Sequence, residues 1–265
     1  VFGQADPELT YHVEGLELGD TLSGSLGRVS GENVGAYEIT STLDNSNYNV
    51  TYVSADLVIT EAENSTIIII PGDYTYNRNP QGPGKDQTTT TGSSGEVTYL
   101  YEGTDNQGNP YGPSSTPPSL PGNYKVTGKL EGDGNRKGAQ TTVDFVISPK
   151  ALVITALANG KNFGGVDPQL EYTTDGLEEG DSLSGALFRA SGENVGTYAI
   201  SSNLDNPNYT VTYVGANFVI HPFPYLRVNT NSLTGFKAKS GEVSQTQVFE
   251  VIAAYLTSDI TLVAL

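Results

Sequence analysis

Two oxygen-rich turns offer this chain its clearest opportunity for chemistry. Asp44-Asn45-Ser46-Asn47 and Asp205-Asn206-Pro207-Asn208 set carboxylate and amide oxygens side by side. These are the hard donors that calcium prefers, although a complete shell takes roughly six to eight of them. Neither turn has the spacing of an EF-hand loop, and Asx turns use the same side chains for hydrogen bonds to their own backbone. Asp44, Asn45, Asp205 and Asn206 are therefore weak candidate ligands, as are Glu61 and Glu63 at a junction between modules. Catalysis has less to work with. His12 and His221 are the only histidines, and neither accompanies a nucleophile, whereas acid–base chemistry needs converging groups. The absence of Cys removes thiol catalysis, thiolate metal sites and disulfides. Carboxylate pairs are uninformative in so acidic a chain. The sequence predicts a protein that is not an enzyme and needs no cofactor, with calcium the one candidate ion.

Tyr74, Tyr76, Tyr99, Tyr101 and Tyr111 concentrate aromatic area between residues 61 and 148. Tyrosine joins apolar area to a polar handle, so these five are candidates for an interaction surface toward glycan or protein. Cross-strand packing on one sheet is the simpler reading of the same residues. If any module makes a specific contact, this one is expected to do so through its long loop, residues 108–122. Overall charge narrows the partners. Thirty carboxylates against 13 basic residues give a net charge of −17, which repels nucleic-acid phosphates and anionic lipid. No stretch approaches the roughly 18 apolar residues of a membrane helix. Nucleic acid and membrane insertion by this segment are thus not expected.

The elements that must position these residues are strands. Thr, Tyr, Val, Ile, Gly, Asn and Pro dominate, a mixture suited to strands and turns, and no long 3.6-residue apolar period appears. Residues 2–59 recur at 163–220 without insertion or deletion, including Ser30-Gly31-Glu32-Asn33-Val34-Gly35 as Ser191-Gly192-Glu193-Asn194-Val195-Gly196. Leu22, Leu26, Val34, Tyr37 and Ile39 are core candidates, with Leu183, Leu187, Val195, Tyr198 and Ile200 as their counterparts. Tyr48–Val53, Leu57–Thr60, Leu152–Thr155 and alternating Tyr209, Val211 and Tyr213 read as strands. Between the copies, Ile67–Ile70 reads as a buried strand, followed by Tyr74–Tyr76, Val97–Tyr101, Asn123–Thr127 and alternating Val143, Phe145 and Ile147. Gly132–Asn135 is a turn between two of these strands.

Four domains follow: 1–60, 61–148, 149–221 and 222–265. The first lacks a counterpart of the opening strand Leu152–Thr155, which leaves an open edge. Either the parent chain or a neighbouring chain is expected to donate a strand there. The last domain, with Leu226, Val228, Val248, Phe249, Val251, Ile260, Leu262 and Val263 as candidate strand residues, is expected to be incomplete. Val1 falls inside a module, so the chain is expected to be part of a longer one. The joints at 61–65, 148–150 and 221–224 are short, and two contain Pro, which predicts a stiff, extended array.

The repeated motif resembles the MBG domain, a bacterial immunoglobulin-like module found in tandem in large secreted adhesins. The residues that carry the resemblance are Asp6-Pro7, Gly15-Leu16, Gly19-Asp20, Leu22-Ser23-Gly24, Gly31–Gly35, Asn47-Tyr48 and Val58-Ile59, together with their counterparts in the second copy. The middle module is similar to a looser relative, and residues 228–236 resemble the start of another Ig-like repeat of Bacteroidota surface proteins. The resemblance implies an all-β fold of tandem Ig-like β-sandwich domains in an elongated array. It also implies an extracellular, cell-surface location and a stalk that displays an adhesive element for surface attachment or gliding, as in a gliding-motility adhesin. The implied partners are neighbouring Ig-like domains of the same polypeptide and a surface polysaccharide or cell-surface protein. The alternatives are a glycan- or protein-binding middle module and an accessory region of a secreted polysaccharide-active enzyme. The family supplies no catalytic residues.

Overall fold

A computed structural model describes residues 1–229, 237–243, 245–256 and 260. The described chain is nearly all β, with one short 3₁₀ turn at Lys85–Gln87. It divides into two compact units, Val1–Lys150 and Ala151–Leu265.

In the first unit, β1 (Leu26–Arg28), β2 (Gly35–Ser41) and β3 (Asp56–Ile59) form one antiparallel sheet in the order β1-β2-β3. The middle module follows with β4 (Thr66–Ile69), β5 (Tyr74–Thr75), β6 (Thr88–Thr91), β7 (Val97–Asp105), β8 (Pro110–Ser114), β9 (Gly122–Leu130) and β10 (Ala139–Ser148). Its main sheet runs β5-β10-β9-β7-β8, and the β4-β6 pair lies over it as a second layer. Period-2 alternation explains why β9 is central: Tyr124, Val126, Gly128 and Leu130 all turn inward, while Asn123, Lys125 and Lys129 face out. Ile67 and Ile69 of β4 close the core against Val126, Phe145 and Ile147. Gly128 makes room for them, since a Cβ there would lie 2.6 Å from the Ile69 Cδ1.

Ile67–Ile70 is only half a buried strand. Ile68 and Ile70 are 57% and 65% exposed, because β4 belongs to an outer layer with one free face. The expected loop 108–122 contains β8, which extends the main sheet at the β7 edge.

The second unit holds β11 (Lys150–Ala156, whose first residue closes the preceding unit), β12 (Asn159–Asn162), β13 (Tyr172–Asp175), β14 (Leu187–Arg189), β15 (Gly196–Ser202), β16 (Tyr209–Val214) and β17 (Ala216–His221). They make two sheets, β13-β11-β16 and β12-β17-β15-β14. Between these sheets Ala156, Ile200, Phe218 and Ile220 form the core. Beyond it β18 (Tyr225–Val228) pairs antiparallel with β19 (Val251–Ala254). Leu226, Val228 and Val251 thus lie in strands, whereas Val248, Phe249 and Ile260 do not. Leu262, Val263 and residues 230–236 lie outside the described residues.

The β14-β15-β17 sheet of the second repeat reappears in the first as β1-β2-β3. The companion sheet does not. Tyr48–Val53, expected as a strand, is irregular, whereas its counterpart is β16. A strand needs a partner for its backbone groups, and β11, the partner of both β13 and β16, has no counterpart in the first copy.

Candidate functional site

Within each repeat the matched polar residues converge on one arginine. In the second, the Arg189 Nε donates to Asp167 Oδ2 at 2.7 Å, Nη2 to Glu193 Oε1 at 2.6 Å, and Nη1 to the Gly192 carbonyl at 2.7 Å. Its guanidinium stacks 5.2 Å from the Tyr198 ring centroid and 5.0 Å from that of Phe218. Lys161 reaches the same two carboxylates, at 2.7 Å from Asp167 and 2.5 Å from Glu193. The bonds from Arg189, then Lys161, hold the Asp167 carboxyl down at about 2; Lys161, then Arg189, lowers that of Glu193. The first repeat builds the arginine-centred part of this arrangement from Arg28, Asp6, Glu32, the Gly31 carbonyl and Tyr37, with Leu57 at the position of Phe218.

This geometry accounts for the Gly-Glu-Asn-Val-Gly motif. Gly192 has φ +139°, and a Cβ on it would meet the Tyr198 ring at 2.5 Å, so no side chain fits. The neighbouring Asn194 carbonyl accepts the Tyr198 hydroxyl at 2.7 Å. Val34 and Val195, expected in the core, are 37% and 52% exposed, because they sit on the outer bend of this turn.

That outer bend is where the first repeat meets the middle module. Asn135 lies in the turn between β9 and β10. Its Oδ1 accepts the Val34 N–H at 2.9 Å, and its Nδ2 donates to the Asn33 Oδ1 at 3.0 Å. The Asn135 carbonyl accepts the Ala62 N–H at 3.0 Å, and the Lys137 N–H donates to the Ala62 carbonyl at 2.8 Å, so the connecting segment is itself bridged to the turn. Arg136 places its guanidinium 5.0 Å from the Phe2 ring. Asp133 fixes the turn by accepting from the amides of Ser94, Asn135 and Arg136. Those bonds, that of Ser94 first, hold its carboxyl at about 2.

The remaining candidate residues are placed plainly. Asn45 and Asn206 form Asx turns: each Oδ1 accepts an amide two residues on, from Asn47 at 3.0 Å and Asn208 at 2.9 Å. Their Nδ2 groups donate to the Thr21 and Ser182 carbonyls. Asp44 and Asp205 form backbone bridges to Ser23 and Ser184. Glu63 pairs with Lys137 at 2.5 Å and so ties the connecting segment to the middle module, and this lowers its carboxyl pKa. Glu61 lies beside the same ammonium. Among the described residues, no three His, Cys, Asp or Glu side chains group as a metal site would require.

Four of the five tyrosines, Tyr74, Tyr99, Tyr101 and Tyr111, pack in or against the middle core. Tyr101 is 3% exposed within that cluster, Tyr74, Tyr99 and Tyr111 lie half-buried against it, and Tyr76 is buried as well, at 4%. Tyr101 donates to the Pro83 carbonyl at 2.7 Å and Tyr99 to Thr88 Oγ1 at 2.9 Å. Burial pushes the Tyr101 and Tyr124 phenols up to about 12.

Sequence reasoning missed the arginine clusters and the Asn135 clamp. The first had a usable signal, since Asp6, Arg28 and Glu32 all recur at matched positions. The clamp had none, as it joins residues about a hundred positions apart. No curated protein and no solved structure matches this chain. Residues 1–58 and 152–219, the two copies that share the arginine-centred turn, match the family described as the MBG domain (YGX type), and the two repeats belong to it.

Proposed function

We propose that this stretch is a structural repeat region of a secreted bacterial surface adhesin, a stalk that extends and displays an adhesive element. The observation that carries this reading is the braced joint in the first unit. Two side-chain hydrogen bonds at Asn135 and the Arg136–Phe2 stack act between consecutive modules, while two backbone bonds at Ala62 and the Glu63–Lys137 pair tie the connecting segment to the middle module. A stalk gains reach only if its joints resist bending, and a connecting segment tied on both sides resists it where a Gly/Ser tether would not. The residues matched between the repeats also support the reading, for they hold turns and ion-pair clusters within each domain. The match to the MBG family supports an extracellular, bacterial setting for this reading.

The joint can be tested by weakening it. Two net hydrogen bonds are together worth about 1–3 kcal/mol, so Asn135→Ala combined with Arg136→Ala is expected to release the first repeat from the middle module. The absence of Cys allows clean spin labelling at Thr40→Cys and Gln107→Cys. The distance distribution between the labels is expected to broaden at least about twofold in the double variant, with both modules retaining their amide spectra. An unchanged width would remove the joint from the account.

A further inference from the structure

The chain contains a single Asn-Gly pair, Asn159-Gly160, and the fold brings its two reactive groups together. Both residues lie in β12, the outermost strand of β12-β17-β15-β14. β12 runs parallel to β17, with Asn159 opposite Phe218 and Gly160 opposite Val219. Just beyond β12, the Phe163 N–H donates to the His221 carbonyl at 2.7 Å. Successive amides of a strand point to opposite edges. The amides of Asn159 and Lys161 therefore turn toward β17 with that of Phe163, and the Gly160 amide turns to the free edge. There it donates to the Asn159 Oδ1 at 2.8 Å, while the Asn159 Nδ2 donates to the Gln169 carbonyl at 3.0 Å. The side-chain carboxamide is thus held against the backbone nitrogen that follows it. Both residues are only half-buried. An open groove of about 520 Å³ runs along them, lined also by Asn217 and His221, so water reaches the pair. Glycine at 160 has a packing reason, since a Cβ there would lie 2.5 Å from the Val219 carbonyl oxygen. No side chain therefore shields the nitrogen.

We propose that Asn159 is a site of intramolecular deamidation in the folded protein. The Gly160 amide loses its proton to hydroxide, and its nitrogen attacks the Asn159 Cγ. The N–Cγ bond forms, the Cγ–Nδ2 bond breaks, and Nδ2 takes up a proton and leaves as ammonia. The product is a five-membered succinimide. Water then opens this ring at either carbonyl, which leaves an aspartyl residue at position 159 or its β-linked isomer. Holding the two groups in contact removes the search for a reactive conformation. Every other asparagine of the chain precedes a residue with a side chain, which crowds the attacking nitrogen. Both products add one negative charge. The isomer also adds one backbone atom between positions 159 and 160, so β12 cannot keep its register with Phe218 and with Ile220 at once. Lys161, which holds Asp167 and Glu193 from the next position, is loosened as a result. The change is irreversible, needs no partner, and is independent of any stalk role.

The test incubates the folded full chain in mildly alkaline, heavy-oxygen water and follows its peptides by mass spectrometry. The peptide carrying Asn159 is expected to lose ammonia, gain one labelled oxygen and separate into two isomers. Its conversion is expected to run at least about 10-fold faster than at any other asparagine. Asn159→Gln, which must close a larger ring, is expected to abolish the change at this position and leave the remaining amide spectrum unaltered. In the converted protein the Lys161 amide is expected to exchange at least about 10-fold faster. Three results would overturn the proposal. One is an Asn159 that stays intact in the folded chain under conditions where it converts in urea, since the strand would then shield it. Another is a single aspartyl product without the β-linked isomer, which would mean direct hydrolysis by water. The third is conversion no faster than at Asn162 on the same strand, which would leave the Asn159–Gly160 contact without effect.

Discussion

Phe218→Ala is expected to cost the second repeat about 3–5 kcal/mol, the range for emptying a large aromatic site in a closed core. Phe218 is 0% exposed and packs with Ala156, Ile200 and Ile220. It also forms one face of the Arg189 stack, so its loss disturbs the ion-pair cluster as well. Leu57 holds the matching position in the first repeat, where it is only half-buried. Leu57→Ala is expected to cost about 2 kcal/mol, the low end for an aliphatic truncation. Urea titrations followed by assigned amide signals report each repeat separately. The contrast depends on the more open first core, where Leu57 and Ile39 are half-buried: equal costs at the two sites would mean that it is as closed as the second.

Acid is expected to unfold the second repeat through Asp167 and Glu193. Both carboxyls are held below their ordinary values, Asp167 at about 2 by Arg189 and then Lys161, and Glu193 by Lys161 and then Arg189. A depressed carboxylate binds its proton more weakly when folded than when unfolded. Its contribution is therefore complete above the unfolded pKa, about 4, and disappears as pH falls through the folded value. Stability should decline between about pH 5 and pH 2, and Asp167→Asn should remove about one proton from the uptake that accompanies unfolding near pH 3. Urea midpoints collected across that interval measure the slope. An identical slope in Asp167→Asn would show that the cluster does not set the acid limit.

The repeat structure was legible because insertion-free duplication is visible by alignment of the chain with itself, and most strands were legible because alternation exposes them. Val143, Phe145 and Ile147 alternate inward in β10 as read, and Leu152–Thr155 lies in β11. The failures share a cause in the environment rather than in local preference. Tyr48–Val53 has the composition of a strand and is one in its second copy, yet a ladder cannot form without its partner. Val34 looked like core because it is apolar, but its place between Gly-Glu-Asn and Gly puts it on the outside of a turn, where its amide meets Asn135. Ile68 and Ile70 looked buried because a continuous apolar run does not reveal whether both faces of a strand are covered.

The candidate site was less legible than the fold. Arg28 and Asp6 lie on separate segments, and only the sheet brings the guanidinium to the carboxylate at 2.6 Å. The oxygen-rich turns drew attention for their chemistry, and Asn45 and Asn206 use that chemistry to hold their own bends. The tyrosines of the middle module read equally well as surface or core until the second layer, β4 and β6, is placed over the main sheet. Residues that shape a turn and residues that bind a ligand draw on the same polar types, so composition cannot separate them, whereas hydrogen-bond partners do.

The braced joint between the first repeat and the middle module is the central claim, and the unmodified joint tests it most directly. Spin labels at Thr40→Cys, on β2, and Gln107→Cys, in the turn after β7, lie in the two modules that Asn135 connects. Pulsed dipolar spectroscopy is expected to return one narrow distance peak that persists when glycerol, salt or temperature is varied. A broad or multimodal distribution in the otherwise unaltered chain would mean that the modules turn freely about residues 61–65, and the stalk reading would lose its main support.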